Sequence, residues 1–132
     1  MPEAFDICGS VFKNGTVTLL ARIVGASGAN ITPGDIDTVT YTVYLLDDQD
    51  ADARSAVEYH TEVALNVEAV IFSSLQLDDL WTVDQIGYNF RHELDVSAHP
   101  AFTIAGRRYL VEYRLQPLEG QVILVRFRLN AI

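Results

Sequence analysis

Three aspartates at alternate positions make the loop at residues 46–55 the first place where chemistry is expected. Asp48, Asp50 and Asp52 form the pattern D-x-D-x-D, which opens a calcium-binding loop of the EF-hand type. Such a loop also needs glycine at its sixth position and glutamate at its twelfth, where this sequence has Ala53 and Tyr59. Three carboxylates alone supply too few oxygen ligands for calcium. We therefore expect a solvated acidic loop, with no metal ion and no cofactor.

The histidines do not form a recognisable catalytic or metal site. His60 and Glu62 would share one face of a strand, but one histidine and one carboxylate are too few ligands for zinc. His92 lies between the apolar Phe90 and Leu94, a position typical of a hydrogen-bonded histidine in or beside a core. The sequence contains neither the G-x-S-x-G nucleophile motif nor the phosphate-binding G-x-x-x-x-G-K motif. These observations predict a protein that is not an enzyme.

Aromatic residues leave a binding function open. Trp81, Tyr88 and Phe90 lie close together in the sequence, and such rings can form a face that binds sugars. A single tryptophan in a small β-sandwich is more often part of the core. A carbohydrate- or ligand-binding module is therefore the alternative to a purely structural role.

Length and composition limit the classes of protein to which the chain can belong. It has 132 residues, of which 49% are hydrophobic and 20% charged. That is enough apolar surface for one domain spanning residues 1–132. Nine basic and eighteen acidic residues give a net charge of −9, which argues against direct binding to nucleic acid. The N-terminal residues do not form a signal peptide, and no apolar stretch is long enough to span a membrane. We therefore expect synthesis in the cytoplasm and no membrane partner.

Alternation of apolar and polar residues is the main structural signal, and it indicates strands with one buried face. It predicts strands over residues 16–24, 38–46, 57–65, 88–96, 107–116 and 122–130. Residues 66–75 instead have apolar side chains at helical spacing after Asn66, a residue suited to cap a short helix. A short extended piece at 80–83 contains Trp81. The pattern predicts an all-β fold, an immunoglobulin-like antiparallel β-sandwich of about seven strands with one short inserted helix.

Charge is distributed unevenly along the chain. Residues 1–66 contain three basic and ten acidic residues, a net charge of −7, whereas residues 107–128 contain five arginines and two glutamates, a net charge of +3. This polarity suits head-to-tail contact between copies, although a charged surface without a partner is the alternative. The interface residues predicted on this basis are Arg107, Arg108, Arg114, Arg126 and Arg128 of the basic hairpin and Asp47, Asp48, Asp50 and Asp52 of the acidic loop.

Four stretches of the sequence resemble small structural proteins of tailed bacteriophages and prophages. They are TLLARIVGASGANIT (18–32), IDTVTYTVYLLD (36–47), WTVDQIGYNFRHEL (81–94) and GRRYLVEYRLQPLEG (106–120). The resemblance implies a non-enzymatic virion protein of the head, neck or tail, present in several copies that bind one another or a larger scaffold. It implies a location in the phage particle, and it carries over no catalytic residues.

The N-terminal residues 1–15 leave two structures open. Phe5, Ile7 and Phe12 stand among polar residues, which suits either a strand of the domain or an arm that becomes ordered on assembly. The first would place the segment in contact with its own chain, and the second would place it against a neighbouring virion protein.

Overall fold

Two β-sheets pack face to face, and apolar side chains from both fill the space between them. This computed structural model describes residues 3–25, 28–50 and 53–132. The strands are β1 (Glu3–Val11), β2 (Val17–Ala21), β3 (Ile36–Leu46), β4 (Arg54–Ala56), β5 (Val63–Leu65), β6 (Ile71–Gln76), β7 (Tyr88–Leu94), β8 (Arg108–Pro117) and β9 (Ile123–Ala131). A 3₁₀ turn at Pro33–Asp35 precedes β3, and the helix α1 (Val67–Val70) leads directly into β6.

The order of the strands is that of an immunoglobulin-like sandwich. The larger sheet has the order β1-β9-β8-β3-β4, with β5 also paired to β3, and the smaller sheet has the order β2-β7-β6. Strands β3, β8 and β9 thus share one sheet while β2, β7 and β6 share the other, as in the immunoglobulin fold. The prediction of an all-β sandwich with a short inserted helix is confirmed, with nine described strands in place of about seven.

The first strand pairs in parallel with the last. Along β1 and β9, Glu3 lies opposite Ile123 and Val11 lies opposite Ala131. The other strand pairs in the described part of the chain are antiparallel, so the sandwich departs from the purely antiparallel expectation at this one pair. Residues 3–11 are therefore a strand of the chain's own sheet, the first of the two structures left open for the N-terminus. Residues 1 and 2 lie outside the described residues.

Alternate residues of the long strands form the core, as the sequence pattern predicts. On β9 the buried residues alternate with Arg126 and Arg128, which lie on the outer face of the sheet. The ring of Phe90 on β7 lies 4.8 Å from that of Tyr113 on β8 and 6.4 Å from that of Phe127 on β9. These ring contacts join the two sheets. The sequence has one cysteine, so no disulfide within the chain can do so.

Tyr109 fixes the loop that leads into β8. Its hydroxyl oxygen accepts a hydrogen bond from the backbone N–H of Ile104 at 3.1 Å, and its ring packs edge-on against Phe102 at 5.3 Å. A tyrosine near the start of this strand that bonds the backbone a few residues earlier is the tyrosine corner of immunoglobulin-like sandwiches. This contact supports the same fold class independently of the strand order.

The inserted helix is shorter than predicted. Asn66 caps it as expected, because its side-chain oxygen accepts a hydrogen bond from the backbone N–H of Glu68 at 3.1 Å. The helix ends at Val70, and residues 71–76 continue as β6 instead of remaining helical. The reason is tertiary. Ile71 is buried opposite Phe90 of β7, and β-branched residues at this junction favour a strand.

Two further predicted elements are corrected. The strand expected over residues 57–65 is reduced to β5, because the chain turns at Tyr59 and Glu62, whose φ angles are 68° and 48°. Residues 80–83 form no strand and belong to an eleven-residue connection between β6 and β7. We call this connection, residues 77–87, the apolar loop.

Gly87, at the end of the apolar loop, occupies a position where no side chain fits. Its φ angle is +111°, and a Cβ atom there would lie 2.4 Å from the carbonyl oxygen of Gln76. Gly120 has a similar φ angle of +100°, but a Cβ atom there would meet no atom within 4 Å. Substitutions at the two glycines therefore distinguish the effect of a steric clash from that of backbone strain alone.

We expect Gly120→Ala to lower the free energy of unfolding by about 1 kcal/mol, through backbone strain alone. Gly87→Ala should lower it by at least about 3 kcal/mol, because the added methyl group would collide with the backbone of β6. Urea denaturation of the two variants measures both changes. Equal losses would contradict the close approach of Gly87 to Gln76.

Candidate functional site

The apolar loop exposes large apolar side chains to solvent. Leu77, Leu80, Val83 and Ile86 have 53%, 52%, 74% and 57% of their surface exposed. They are four of the nine large hydrophobic residues that are exposed in the described part of the chain. Single exposed apolar residues are ordinary, but a cluster on one short segment is typical of an interaction site.

Asp84 gives the loop a fixed conformation. Its Oδ1 atom accepts hydrogen bonds from Nε1 of Trp81 at 2.8 Å and from the backbone N–H groups of Ile86 and Gly87 at 2.9 and 3.2 Å. Its Oδ2 atom lies 2.7 Å from Nη1 of Arg22, which follows β2. The bond from Trp81, together with the backbone bonds and Arg22, holds the pKa of Asp84 well below its usual range.

A second aspartate ties the other half of the loop to β7. Asp78 accepts hydrogen bonds from the hydroxyl of Tyr88 at 2.7 Å and from the backbone N–H of Leu80 at 3.0 Å. The bond to Asp78 raises the pKa of the Tyr88 hydroxyl. The ring of Trp81 lies 5.7 Å from that of Tyr88. Trp81 is half-buried in the loop and lies outside the main core, which sequence reasoning did not anticipate.

A groove of about 230 Å³ runs along the side of the sandwich beneath this loop. It is lined by residues 80–83 of the loop, residues 17–20 of β2, Gly9 and Ser10 of β1, and Phe127 and Leu129 of β9. The smaller sheet ends at β2 on this side, because β1 pairs with β9 instead of with β2. The groove therefore lies where the two sheets part.

A wider cleft of about 800 Å³ lies between the β2–β3 and β8–β9 connections. In immunoglobulin variable domains, the corresponding loops form part of the binding surface. The backbone N–H of Leu118 donates to the carbonyl of Asp35 at 3.0 Å and links the two connections. Polar side chains of the cleft include Asn30, Glu119 and Gln121.

The buried amide of Asn89 holds the start of the β2–β3 connection in place. Its Oδ1 atom accepts from the backbone N–H of Ile23 at 2.7 Å. Its Nδ2 atom donates to the carbonyl groups of Ile23 at 2.9 Å and Ile31 at 3.2 Å. The side chain thus supplies hydrogen bonds where the backbone pairing of β2 with β7 has ended.

Two histidines and two tyrosines form hydrogen bonds inside the sandwich. Nε2 of His60 donates to the carbonyl of His99 at 2.6 Å, and Nδ1 of the same ring lies 2.9 Å from the hydroxyl oxygen of Tyr41. Nδ1 of His92 lies 2.5 Å from the hydroxyl of Tyr113. Burial lowers the pKa of His92 to about 4 and raises that of Tyr113. The interpretation of His92 as a hydrogen-bonded histidine beside the core is confirmed.

The structure brings one predicted pair of interface residues together within the chain. Arg107 donates from Nη2 to the carbonyl of Leu46 at 2.9 Å, and its Nε atom lies 2.9 Å from Oδ1 of Asp48, an ion pair without hydrogen-bond geometry. Asp47 accepts from the backbone N–H groups of Gln49 and Asp50 at 2.8 and 3.0 Å and so shapes its own loop. These backbone bonds lower the pKa of Asp47.

The remaining predicted interface residues lie mainly on the outer face of the larger sheet. Arg126 donates to Oε2 of Glu112 at 2.9 Å, and Arg54 approaches the same oxygen at 3.7 Å. The other members are exposed; they are Arg108, Arg114, Arg128 and Asp50. Asp52 lies outside the described residues.

Comparisons with known proteins give no relative. No protein-family model matches the chain, and no curated protein or solved structure matches it. No helix in the described part of the chain is long and apolar enough to cross a membrane. Within residues 3–25, 28–50 and 53–132, no three His, Cys, Asp or Glu residues are grouped so that they could hold a metal ion.

The Asp84 carboxylate should stabilise the fold in a pH-dependent way. Folding lowers the pKa of Asp84, so the carboxylate stabilises the folded chain above the ordinary aspartate pKa of about 3.9. This contribution to the free energy of unfolding is lost as the pH falls below that value. Asp84→Asn should therefore be less stable than the wild type at about pH 7, and the difference should shrink below about pH 4. Urea denaturation followed by Trp81 fluorescence measures the free energy of unfolding of both proteins at each pH. Asp37→Asn, at an exposed residue of β3, is the control; a difference that is constant with pH would contradict this role.

His92 should make the fold sensitive to mild acid. Its pKa is about 4 in the folded chain and about 6.5 when exposed, so stability falls as the pH falls through this interval. Lowering the pH from about 7 to about 5 should cost roughly 2 kcal/mol of unfolding free energy. His92→Gln should remove most of this dependence, and His99→Gln should keep it. Parallel pH profiles for the wild type and His92→Gln would refute the assignment.

Proposed function

We propose that the protein is a non-enzymatic structural component of a phage particle that attaches to neighbouring protein subunits through its apolar loop. The observation that carries this proposal is the exposure of Leu77, Leu80, Val83 and Ile86 on a single segment of eleven residues. Burying these side chains against a partner would remove apolar surface from water, the main driving force of protein association. The phage context comes from the resemblance of the four sequence stretches.

The fixed conformation of the loop favours a binding role over accidental exposure. Asp84 and Asp78 satisfy backbone and side-chain donors at both ends of the loop, so the apolar side chains are presented in a defined arrangement. A surface that is already ordered loses little conformational entropy when it binds. The loop is therefore suited to a stable contact that is repeated in many copies, where avidity adds to the strength of each contact.

The charged residues predicted from the sequence have a secondary part in this proposal. Arg107 is engaged with Asp48, and Arg126 is engaged with Glu112, within the chain. Exposed charges such as Arg108 and Arg114 orient an approaching partner more than they hold it, because solvent and salt screen them. We propose that they steer assembly, while the apolar loop supplies most of the binding free energy.

A ligand-binding module is the alternative, and the cleft of about 800 Å³ favours it. Its walls are the connections that carry binding residues in variable immunoglobulin domains. Trp81 lines the smaller groove and is absent from the described walls of the cleft. A sugar bound in the groove would change Trp81 fluorescence directly, whereas one bound in the cleft would be detected by shifts of the backbone amides of residues 118–121.

The proposal predicts that the protein is a stoichiometric part of a phage particle. Density-gradient purification of particles from the source host, followed by mass spectrometry, should recover the chain at a fixed ratio to the major capsid protein. In a complemented deletion, Leu77→Glu combined with Ile86→Glu should lower that ratio at least about tenfold, because buried charges oppose association.

The matched control is Leu118→Glu, which adds a charge at a residue that is also exposed but lies on the turn between β8 and β9. It should be incorporated like the wild type. Circular dichroism of each variant establishes that the fold is intact. Particles that lack the chain, or that incorporate the loop variant normally, would refute the proposal.

A further inference from the structure

Phe12 projects from a rigid turn between β1 and β2. It is 73% exposed, the second-highest exposure among the large hydrophobic residues that the structure describes. The turn is closed by a hydrogen bond from the backbone N–H of Gly15 to the carbonyl of Phe12 at 2.7 Å. Backbone bonds from Lys13 to Ile132 at 2.8 Å and from Asn14 to Phe102 at 2.7 Å anchor it to the sandwich. An aromatic side chain held this way has the properties of an interface anchor.

The groove beneath the apolar loop has the size and lining to receive such a ring. Its volume is about 230 Å³, whereas an apolar cavity of roughly 150 Å³ is enough to hold benzene. Its apolar lining includes Leu19, Leu80, Phe127 and Leu129. A phenylalanine ring placed there would bury one face against these apolar side chains.

The turn and the groove lie side by side on the molecule. Gly9 and Ser10 line the groove and precede Phe12 by three and two residues, and Val17, also in the lining, follows the turn directly. When a projecting side chain and a groove lie on the same face, a two-fold axis forms the same contact twice, because the side chain of each copy enters the groove of the other.

The charges beside the two features are complementary. Lys13 follows Phe12 and is exposed, whereas Asp78 and Asp79 precede Leu80 of the groove wall and are also exposed. Lys13 is also the only lysine in the sequence, in a chain of net charge −9. A second copy of the chain therefore carries an exposed cation next to the apolar ring, opposite in charge to the two carboxylates that precede the groove-lining residues 80–83.

We propose that two copies of the chain form a symmetric dimer in which Phe12 of each copy enters the groove of the other and Lys13 faces Asp78 and Asp79 of the other copy. This inference rests on the proposed function as a protein that acts through subunit contacts, and it names one partner as a second copy. It uses the groove side of the apolar loop. Leu77 and Ile86, which do not line the groove, stay available for other subunits.

The dimer is tested by sedimentation velocity and light scattering of the purified chain across a concentration series. The wild type should dimerise, and Phe12→Ala should raise the dimer dissociation constant at least about 30-fold, as expected for loss of an anchor residue. Leu118→Ala, which truncates an exposed residue that does not line the groove, should leave the constant unchanged. Far-UV circular dichroism and thermal unfolding establish that each variant is folded.

A charge exchange identifies the contact itself. Lys13→Asp and Asp79→Lys should each weaken the dimer, and the double variant should restore much of the affinity, because the ion pair is re-formed with its signs reversed. Zero-length carbodiimide coupling should join Lys13 of one wild-type copy to Asp78 or Asp79 of the other, as a covalent dimer whose cross-linked peptide is identified by mass spectrometry.

A wild type that stays monomeric at every concentration would overturn the dimer, as would a dimer unaffected by Phe12→Ala or by either charge reversal. None of these results would contradict the proposed function, which is tested separately by incorporation of the Leu77 and Ile86 variant into particles. Conversely, a dimer that shows the expected charge exchange, from a chain that is absent from particles, would retain the inference and remove the phage role.

Discussion

Ring packing between Phe90, Tyr113 and Phe127 is the contact on which the rest of this structure depends. In a sandwich without a disulfide, side-chain contacts fix how one sheet lies on the other, and these three rings come from β7, β8 and β9 of the two sheets. Tyr113 meets both phenylalanine rings edge-on, and aromatic contacts of this kind bury large apolar areas and also restrict orientation. The position of β7 follows from this packing. So do the features at its beginning, because Gly87 directly precedes β7 and Asn89 directly precedes Phe90. Gly87 ends the apolar loop, and Asn89 holds the β2–β3 connection.

Polar side chains order the connections, and apolar side chains are thereby left for other contacts. Asp84 and Asp78 satisfy the donors of the apolar loop, so the loop does not need to bury its leucine, valine and isoleucine side chains to keep its shape. Asn89 does the same for the β2–β3 connection by replacing missing strand pairing with amide hydrogen bonds. Because a buried amide left unpaired is costly, Asn89 specifies one conformation of the β2–β3 connection more strongly than apolar packing would.

The sequence was sufficient for the features that repeat at short range and insufficient for those set by distant contacts. The alternation in residues 107–130 locates β8 and β9 within about a residue, and the cap at Asn66 was predicted correctly. The helix predicted after Asn66 was too long, because the burial of Ile71 opposite Phe90 is a tertiary effect that residue spacing does not reveal. The pairing of Arg107 with Asp48 joins residues far apart in sequence, so both were predicted as free to meet a partner. The apolar loop has no regular period, and its importance follows from exposure, which only the fold determines.

The parallel pairing of β1 with β9 has a mechanical consequence. The two strands run in the same direction, so Glu3 lies beside the start of β9 while Ala131 lies beside the end of β1. A pull that separates the two ends of the chain would act along this pair of strands and would load their hydrogen bonds together in shear, instead of opening them one after another. A chain joined to its surroundings at both ends would therefore resist extension through the whole length of the β1–β9 pair.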